Sequence, residues 1–148
     1  MNLDLFNYKT FIPVRFGDLN AFGIVNNNVY LTYFEIAQTE YWKKIIQWKD
    51  KTKGIMIGRA EIQYLRPIEF VNEIYAYVRT SKIGNSSFDV EYVLTVQQPE
   101  GEVICTTGKT ECIFYDFAER RPVAIPEVQR EKMIAFEALS EENILYKM

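Results

Sequence analysis

The sequence predicts an α+β fold in which a curved antiparallel sheet of about five strands wraps around one long central helix. Residues 28–48 are apolar around nearly the whole circumference of a helix, which indicates burial on several sides. Four later segments alternate apolar and polar residues and are separated by turn-forming residues. The 148 residues, of which 48% are hydrophobic, suffice for one core, and we expect a single domain over 1–148.

The first predicted elements flank a glycine-containing loop. Residues 8–16 are expected to form a strand, and residues 17–27 a loop that leads into the helix. An Asn at the start of the helix is suited to cap its free N–H groups. The helix is expected to be the only long one and to form the centre of the core.

Four long strands are predicted after the helix, over residues 55–66, 74–82, 87–97 and 102–116. Alternation is clear in the third strand, where one face carries Phe88, Val90, Tyr92, Leu94 and Val96. The strands most simply form an antiparallel meander, because short turn-forming segments separate them.

A short helix is predicted near the C-terminus, over residues 126–139. Pro126 is suited to its first turn, since that turn does not need the N–H that proline lacks. The segment Asn85-Ser86-Ser87 matches a glycosylation acceptor, but we interpret it as a hairpin turn.

Charge and composition exclude several classes of function. The net charge of −3 gives no reason to expect a nucleic-acid partner, and we expect a small molecule instead. The N-terminus has an acid at Asp4 and no sustained apolar run, so no secretory signal is predicted, and no segment has membrane-spanning length. We therefore expect a cytoplasmic protein without a membrane partner.

Metal and disulfide sites are not predicted. Cys105 and Cys112 lie seven residues apart in one predicted strand, so they should point to opposite faces and not pair. The chain has no histidine, which removes the material of the usual zinc sites. The segment Asp18-Leu19-Asn20 faintly resembles a calcium loop, but Val29 stands where the bidentate acid would be needed. We expect no metal and no cofactor.

Most of the functional signal lies between Arg15 and Trp42. There a carboxylate, Asp18, stands in a loop before a helix start, whose N–H groups can stabilise charge developing on a carbonyl oxygen. This arrangement indicates acyl transfer, with Asp18 as nucleophile or as general base. From the residues alone, a structural Asp that makes a turn or caps a helix is the favoured interpretation.

The same segment resembles a known family, and this resemblance favours the catalytic interpretation. RFGDLNAFGIVNNNVYLTYFEIAQTEY is similar to the signature of hotdog-fold thioesterases of the 4-hydroxybenzoyl-CoA thioesterase type. AEIQYLRPIEFVNEIYAYVRTSKIGNSSFDVEYVL and GEVICTTGKTECIFYDFAERRPVAIPE resemble the later strands and tail of that family, so the likeness covers roughly residues 8–128. It implies a hotdog fold and hydrolysis of an acyl-CoA or acyl-carrier thioester.

The resemblance also implies roles for individual residues. Asp18 would be the nucleophile or base, and the backbone N–H groups of Gly23, Ile24 and Val25 would polarise the thioester carbonyl. Many relatives carry His where Ile24 stands, so a side-chain contribution seen in some of them is missing here. Asn26 is a candidate for substrate contact, although we favour a role in holding the loop and capping the helix.

Further residues are expected near the substrate. By resemblance, the pantetheine arm runs along Tyr64, Leu65, Arg66 and Pro67, and Tyr30 is a candidate for the acyl pocket or the plain core. Glu35 is a second acid candidate, but we favour a buried carboxylate paired with Arg or Lys.

Three classes of function remain compatible with these observations. The absence of histidine excludes hydrolases and hotdog dehydratases that use a His base. A carboxylate-dependent thioesterase is favoured over a protein that binds acyl-CoA or an acyl-carrier thioester without hydrolysis, and a purely structural domain ranks last. Because relatives pair through their sheet edge and helix, we expect a homodimer or homotetramer.

Overall fold

The computed structural model describes residues 2–145, which form a curled antiparallel sheet around one long helix. The strands are β1 (Tyr8–Ile12), β2 (Lys53–Tyr64), β3 (Ile74–Ile83), β4 (Ser87–Gln98), β5 (Gly101–Asp116) and β6 (Arg121–Pro122). The helices are α1 (Tyr30–Tyr41), which continues into a π-helical turn (Trp42–Ile46), and α2 (Glu127–Glu137). The predicted fold class is therefore confirmed.

The order of the strands corrects the predicted meander. The first five strands lie in the order β1-β3-β4-β5-β2, and β6 pairs with β5. β3, β4 and β5 follow one another as predicted, but β2 pairs with β5 instead of β3. The segment 65–73 crosses from one side of the sheet to the other, which leaves β2 as an edge strand. Register shifts in three of the strand pairs accompany the curvature.

The first strand and the helix are shorter than predicted. β1 ends at Ile12, because Pro13 has no N–H for the ladder. The chain then makes 3-10 turns at Phe16–Asp18 and Asn27–Val29 before α1 begins. No side chain of the described residues caps either the second of these turns or α1, so the prediction of an Asn cap is wrong. A left-handed residue, Gln47, ends the helical segment.

Close approach of α1 to the sheet depends on Gly108 in β5. A Cβ atom at this position would lie 2.2 Å from Cε2 of Phe34, which is far inside contact distance. The Phe34 ring stacks on Tyr92 of β4, with ring centroids 4.5 Å apart and planes inclined by 8°. Phe34 and Tyr92 are both fully buried, so this contact seats the helix against the concave face of the sheet.

The predicted C-terminal helix is also confirmed, as α2, and Pro126 lies directly before it. The carboxylate of Glu137 accepts hydrogen bonds from the Tyr41 hydroxyl at 2.6 Å and the Thr80 N–H at 2.8 Å. Burial raises the pKa of Glu137. These bonds fix the end of α2 against both α1 and β3.

Both cysteines are free and lie in the same core cluster. The prediction that they point to opposite faces is wrong. Pairing between β4 and β5 skips Cys105, because Leu94 pairs with Thr106 and Thr95 pairs with Ile104. The alternation of faces therefore changes within β5.

Two further observations concern the described part of the chain. Across residues 2–145, no three His, Cys, Asp or Glu side chains lie close enough together to hold a metal ion. No helix in that part of the protein has the length and apolarity needed to cross a membrane.

Candidate functional site

The loop before α1 is a compact structure held by its own backbone. A bridge joins Leu19 to Val25, and the Asn20 N–H donates to the Ile24 carbonyl at 2.8 Å. Gly23 turns the chain with a φ of 78°, a left-handed value that glycine adopts readily. The Asn20 side chain accepts hydrogen bonds from the N–H groups of Phe22 and Ile24. The loop is therefore preformed in the single chain.

The carboxylate of Asp18 lies beneath this loop and is only 3% exposed. The Arg15 guanidinium donates to Oδ1, with Nη2 at 2.9 Å and Nε at 3.2 Å. The Arg15 N–H donates to Oδ2 at 3.0 Å, and the Tyr33 hydroxyl donates to the same oxygen at 2.8 Å. Because Tyr33 belongs to α1, this network joins the loop to the central helix.

The network holds Asp18 in its charged form. Burial alone would raise the pKa of the Asp18 carboxyl, but hydrogen bonds from Arg15 and Tyr33 outweigh burial and hold this pKa below its usual value. Burial and the neighbouring carboxylate raise the pKa of the Tyr33 phenol, which therefore stays protonated and donates. Asp18 is thus an anion whose two oxygens both accept internal hydrogen bonds.

The N–H groups predicted to polarise a carbonyl are occupied within the chain. Gly23 donates to the Asn20 carbonyl at 3.1 Å, and Val25 donates to the Ile68 carbonyl at 2.8 Å. Ile24 has only a long contact of 3.4 Å, to Asn20 Oδ1. In this conformation Gly23 and Val25 therefore donate within the chain, and their role toward a carbonyl stays a prediction.

Available donors lie at the start of the helical segment. The N–H groups of Asn27 and Asn28 precede any acceptor within the helix, and no hydrogen bond from them to another part of the described chain is present. The Tyr64 hydroxyl donates to the Asn27 carbonyl at 2.9 Å and so orients this turn.

The predicted substrate-binding residues divide into two groups. Tyr64 reaches the helix start, where its ring packs edge-on against Tyr30 with centroids 4.9 Å apart. Tyr30 itself is buried in the core. Asn26 contributes its N–H to the Asp18 carbonyl at 2.9 Å, which holds the loop as expected.

The residues that follow Tyr64 lie farther along the chain crossing. Leu65 and Arg66 are exposed and donate their N–H groups to the Cys105 carbonyl at 3.0 Å. Arg66 and Pro67 line a separate cavity of about 230 Å³. The structure therefore brings Tyr64, but not all of this segment, to the helix start.

A larger cavity of about 1010 Å³ lies between α1 and the first half of β2. Its lining is largely aromatic and aliphatic and includes Leu31, Trp42, Trp48, Ile55 and Phe117. Glu35 also lines this cavity and is exposed, with no hydrogen bond or ion pair among the described residues. The expectation of a buried, paired Glu35 is therefore wrong for the single chain.

Comparison of the sequence with known proteins identifies one protein superfamily. Residues 14–133 match the model of the thioesterase-like superfamily. The uncharacterised protein YsmA of Bacillus subtilis strain 168 is 27% identical over 130 residues, which are 87% of this chain and 86% of that protein.

Solved structures agree with that match. A thioesterase of Thermus thermophilus, complexed with coenzyme A and zinc, is 32% identical, with a TM-score of 0.77 over 91% of this chain and 98% of its own. An Asp-to-Asn variant of 4-hydroxybenzoyl CoA thioesterase, complexed with 4-hydroxybenzoyl CoA, is 17% identical, with a TM-score of 0.78 over 85% of this chain and 97% of its own. The second likeness concerns the fold and identifies it as the hotdog fold.

The Asp18 network predicts a defined acid dependence of stability. The pKa of Asp18 in the folded protein lies below its unfolded value of about 3.9, so the network stabilises the protein above that pH, and this contribution is lost as pH falls through the folded pKa. Tyr33→Phe removes one donor and should lower the free energy of unfolding by about 1–3 kcal/mol at neutral pH. The difference from wild type should shrink as the carboxylate becomes protonated.

Urea unfolding from about pH 7 down to about pH 2 measures this difference. Tyr30→Phe is the matched control, because Tyr30 is a buried tyrosine of the same helix that does not contact Asp18. A Tyr33→Phe deficit in the free energy of unfolding that is constant with pH would contradict the proposed linkage. The same pH dependence in Tyr30→Phe would also contradict it.

Proposed function

We propose, because this chain belongs to the thioesterase-like superfamily, that it hydrolyses the thioester bond of an acyl-CoA or an acyl-carrier substrate. The observation that carries the proposal is the pair of available N–H groups at the helix start, next to a buried carboxylate network. Coenzyme A in the Thermus thioesterase, which is 32% identical, supports a CoA thioester as substrate.

The helix start would bind the thioester carbonyl. The N–H groups of Asn27 and Asn28 and the positive end of the helix dipole favour negative charge at this point. Attack on the carbonyl carbon places such charge on its oxygen, so these donors bind the transition state more tightly than the substrate. Tyr64 fixes the orientation of the turn through its bond to the Asn27 carbonyl.

Asp18 would supply the carboxylate by one of two routes. As general base it takes a proton from water, the water oxygen adds to the carbonyl carbon, and collapse of the oxyanion expels the thiolate of coenzyme A, which then takes up the proton. As nucleophile it adds to the carbonyl carbon, the C–S bond breaks and the thiolate of coenzyme A leaves and takes up a proton from solvent, and water then hydrolyses the resulting mixed anhydride, which restores the Asp18 carboxylate. Either route requires Arg15 to release an oxygen of Asp18, and the Arg15 side chain is 66% exposed and can turn into solvent.

A second candidate is a protein that binds the thioester without hydrolysing it. The occupation of both Asp18 oxygens by Arg15 and Tyr33 favours this candidate, since it leaves Asp18 as a structural anion in the single chain. The chain also has no histidine that could replace Asp18 as base. The two candidates share the binding geometry and differ in turnover.

Asp18→Asn separates these candidates. If Asp18 is catalytic, thiol release from a panel of short, medium, long and aryl acyl-CoAs should fall by about 100-fold or more, while acyl-CoA affinity stays within about threefold. Asp116→Asn is the matched control, because Asp116 is a second buried carboxylate that accepts backbone N–H groups, from Ala118 and Glu119. That variant should keep its turnover.

Other results identify the alternative. Turnover that survives in Asp18→Asn would contradict a catalytic Asp18. Binding of acyl-CoA by wild type without thiol release from any member would favour the binding protein. Absence of both binding and release would contradict the proposal as a whole.

The site is completed, in this proposal, by a second copy of the chain in a homodimer or homotetramer. Within the described sheet, β2 is an edge strand with its outer backbone groups unpaired, and such an edge is a template for another strand. Antiparallel pairing of two β2 strands about Ala60 would set Arg59 opposite Glu61 of the partner subunit. It would also bring Met56, which lines the large cavity, near Tyr64 of the partner subunit. The cavity of one protomer would then lie beside the helix start of the other.

Charge reversal on β2 tests this pairing. Wild type should be dimeric or tetrameric by light scattering at micromolar concentration. Glu61→Arg should shift the population toward monomer, because it sets like charges opposite each other. The double variant Arg59→Glu with Glu61→Arg should restore association. A stable wild-type monomer, or a double variant no better than the single one, would contradict the arrangement.

A further inference from the structure

The Asp18 carboxylate divides its hydrogen bonds unequally between its two oxygens. Oδ2 accepts from the Arg15 backbone N–H at 3.0 Å and from the buried Tyr33 hydroxyl at 2.8 Å. Among the described residues, Oδ1 accepts from the Arg15 guanidinium alone, with Nη2 at 2.9 Å and Nε at 3.2 Å. Nε also lies 3.4 Å from Oδ2, which is a long contact. The backbone and the helix therefore hold one oxygen, and a single side chain covers the other.

The side chain that covers Oδ1 is itself exposed. The Arg15 side chain is 66% exposed, whereas that of Asp18 is 4% exposed. Within residues 2–145, Arg15 forms an ion pair with no other acid. Its two short bonds converge on one carboxylate oxygen, so they do not form the pair of parallel bonds to two oxygens that makes arginine pairs strongest. Rotation of this side chain into solvent would uncover Oδ1 and leave both donors of Oδ2 in place.

A second buried carboxylate of the chain shows that two internal donors can hold such a group. Asp116 is 7% exposed, and its Oδ1 accepts the N–H groups of Ala118 at 2.9 Å and Glu119 at 3.0 Å. No Lys or Arg side chain in the described part of the chain pairs with Asp116. Oδ2 of Asp18 likewise has two internal donors, so the Arg15 guanidinium is additional to the anchoring of the carboxylate.

We propose that Oδ1 is the reacting oxygen of Asp18, and that Arg15 is a positioning residue whose side chain covers this oxygen between turnovers. The inference rests on the proposed function and names a control on its carboxylate. In the two routes given above, Oδ1 takes the proton from water or adds to the carbonyl carbon, while Oδ2 stays bonded to Tyr33 and to the Arg15 N–H. The Arg15 side chain then slows hydrolysis, because its bonds to Oδ1 have to break before each turnover.

The charged groups around Asp18 give the direction of its pH dependence. Arg15 in the loop and Tyr33 on α1 donate to the carboxylate, whereas Arg66 and Glu69 in the chain crossing are exposed and do not pair with it. Burial raises the pKa of the Asp18 carboxyl, and the bond from the Arg15 side chain lowers this pKa more than the bond from Tyr33 does. Loss of the Arg15 side chain should therefore raise the pKa of Asp18 and make it a stronger base.

Arg15→Met tests the cover, because a methionine side chain makes no hydrogen bond to Oδ1. Thiol release from the panel of acyl-CoAs is measured against pH for this variant and for wild type. Above about pH 7, kcat of Arg15→Met should exceed that of wild type by about threefold or more, because Oδ1 no longer has to be uncovered. The acid limb of its kcat/KM profile should move to higher pH, because Asp18 has lost the cation that lowers its pKa. If wild type binds acyl-CoA without releasing thiol, Arg15→Met should begin to release it.

Other variants separate the cover from the support of the carboxylate. Tyr33→Phe removes a donor from Oδ2 and should also move the acid limb to higher pH, but it should lower kcat by about threefold or more, because the anchored oxygen loosens. Arg121→Met replaces an exposed arginine that makes no bond to Asp18, and it should leave kcat and the acid limb unchanged. Circular dichroism at each pH shows whether the variants are folded.

Arg15→Lys provides the test if Arg15→Met does not fold. A lysine keeps the positive charge but presents one nitrogen instead of two to Oδ1. Its kcat should therefore rise above that of wild type, with a smaller shift of the acid limb than a neutral side chain would give.

The outcomes separate this inference from the proposed function. A folded Arg15→Met with kcat at or below that of wild type, or with an unmoved acid limb, would overturn the inference and leave thioester hydrolysis standing. A kcat that rises equally in Tyr33→Phe would overturn the division between the two oxygens. Wild-type turnover that survives in Asp18→Asn would overturn the inference without excluding hydrolysis. Release of no thiol by either wild type or Arg15→Met would overturn the proposed hydrolysis and this inference with it.

Discussion

The buried carboxylate of Asp18 joins the loop before α1 to that helix, and the geometry of the helix start depends on that contact. Asp18 accepts hydrogen bonds from Arg15 at the beginning of the loop and from Tyr33 on the helix. Its backbone carbonyl accepts the N–H of Asn26, the residue just before the helical turn. One residue thus fixes both ends of the segment that presents the Asn27 and Asn28 N–H groups. A buried Asp18 carboxylate without hydrogen-bond donors would destabilise the folded protein, and the donors of Arg15 and Tyr33 compensate for its burial.

The sheet supports this contact by bringing distant segments to the same point. Tyr64 at the end of β2 holds the Asn27 carbonyl, and Ile68 in the chain crossing accepts the Val25 N–H. Gly108 allows Phe34 to lie against β5, which sets the depth of α1 in the sheet. The cavity between α1 and the start of β2 follows from the same placement, because β2 is an edge strand. The position of α1 in the sheet therefore determines both the geometry of the helix start and the shape of the large cavity.

Local patterns predicted the elements well and their contacts less well. Alternation located β3, β4 and β5 closely, and an apolar circumference identified α1 as central. The pairing of β2 with β5 was not predictable from spacing, because it depends on where the segment 65–73 crosses the sheet. The motif around Asp18 predicted a loop before the helix, and the structure has a loop there that its own backbone hydrogen bonds hold in place.

The internal hydrogen bonds of the loop could not be predicted from the sequence. Gly23, Ile24 and Val25 were predicted as donors to the thioester carbonyl, but whether an N–H is occupied within the chain depends on acceptors, such as the Ile68 carbonyl, that are distant in sequence.

In the function we propose, the helix start receives the thioester carbonyl oxygen. The most direct test is infrared difference spectroscopy of a non-hydrolysable ketone analogue of acyl-CoA, with a ¹³C label in the carbonyl, bound to the wild-type protein. Hydrogen bonds from the Asn27 and Asn28 N–H groups should shift the labelled carbonyl band to lower frequency than in water, because donors held in a site of low dielectric polarise the bond more strongly. A bound analogue whose carbonyl band stays at or above its position in water would contradict the account.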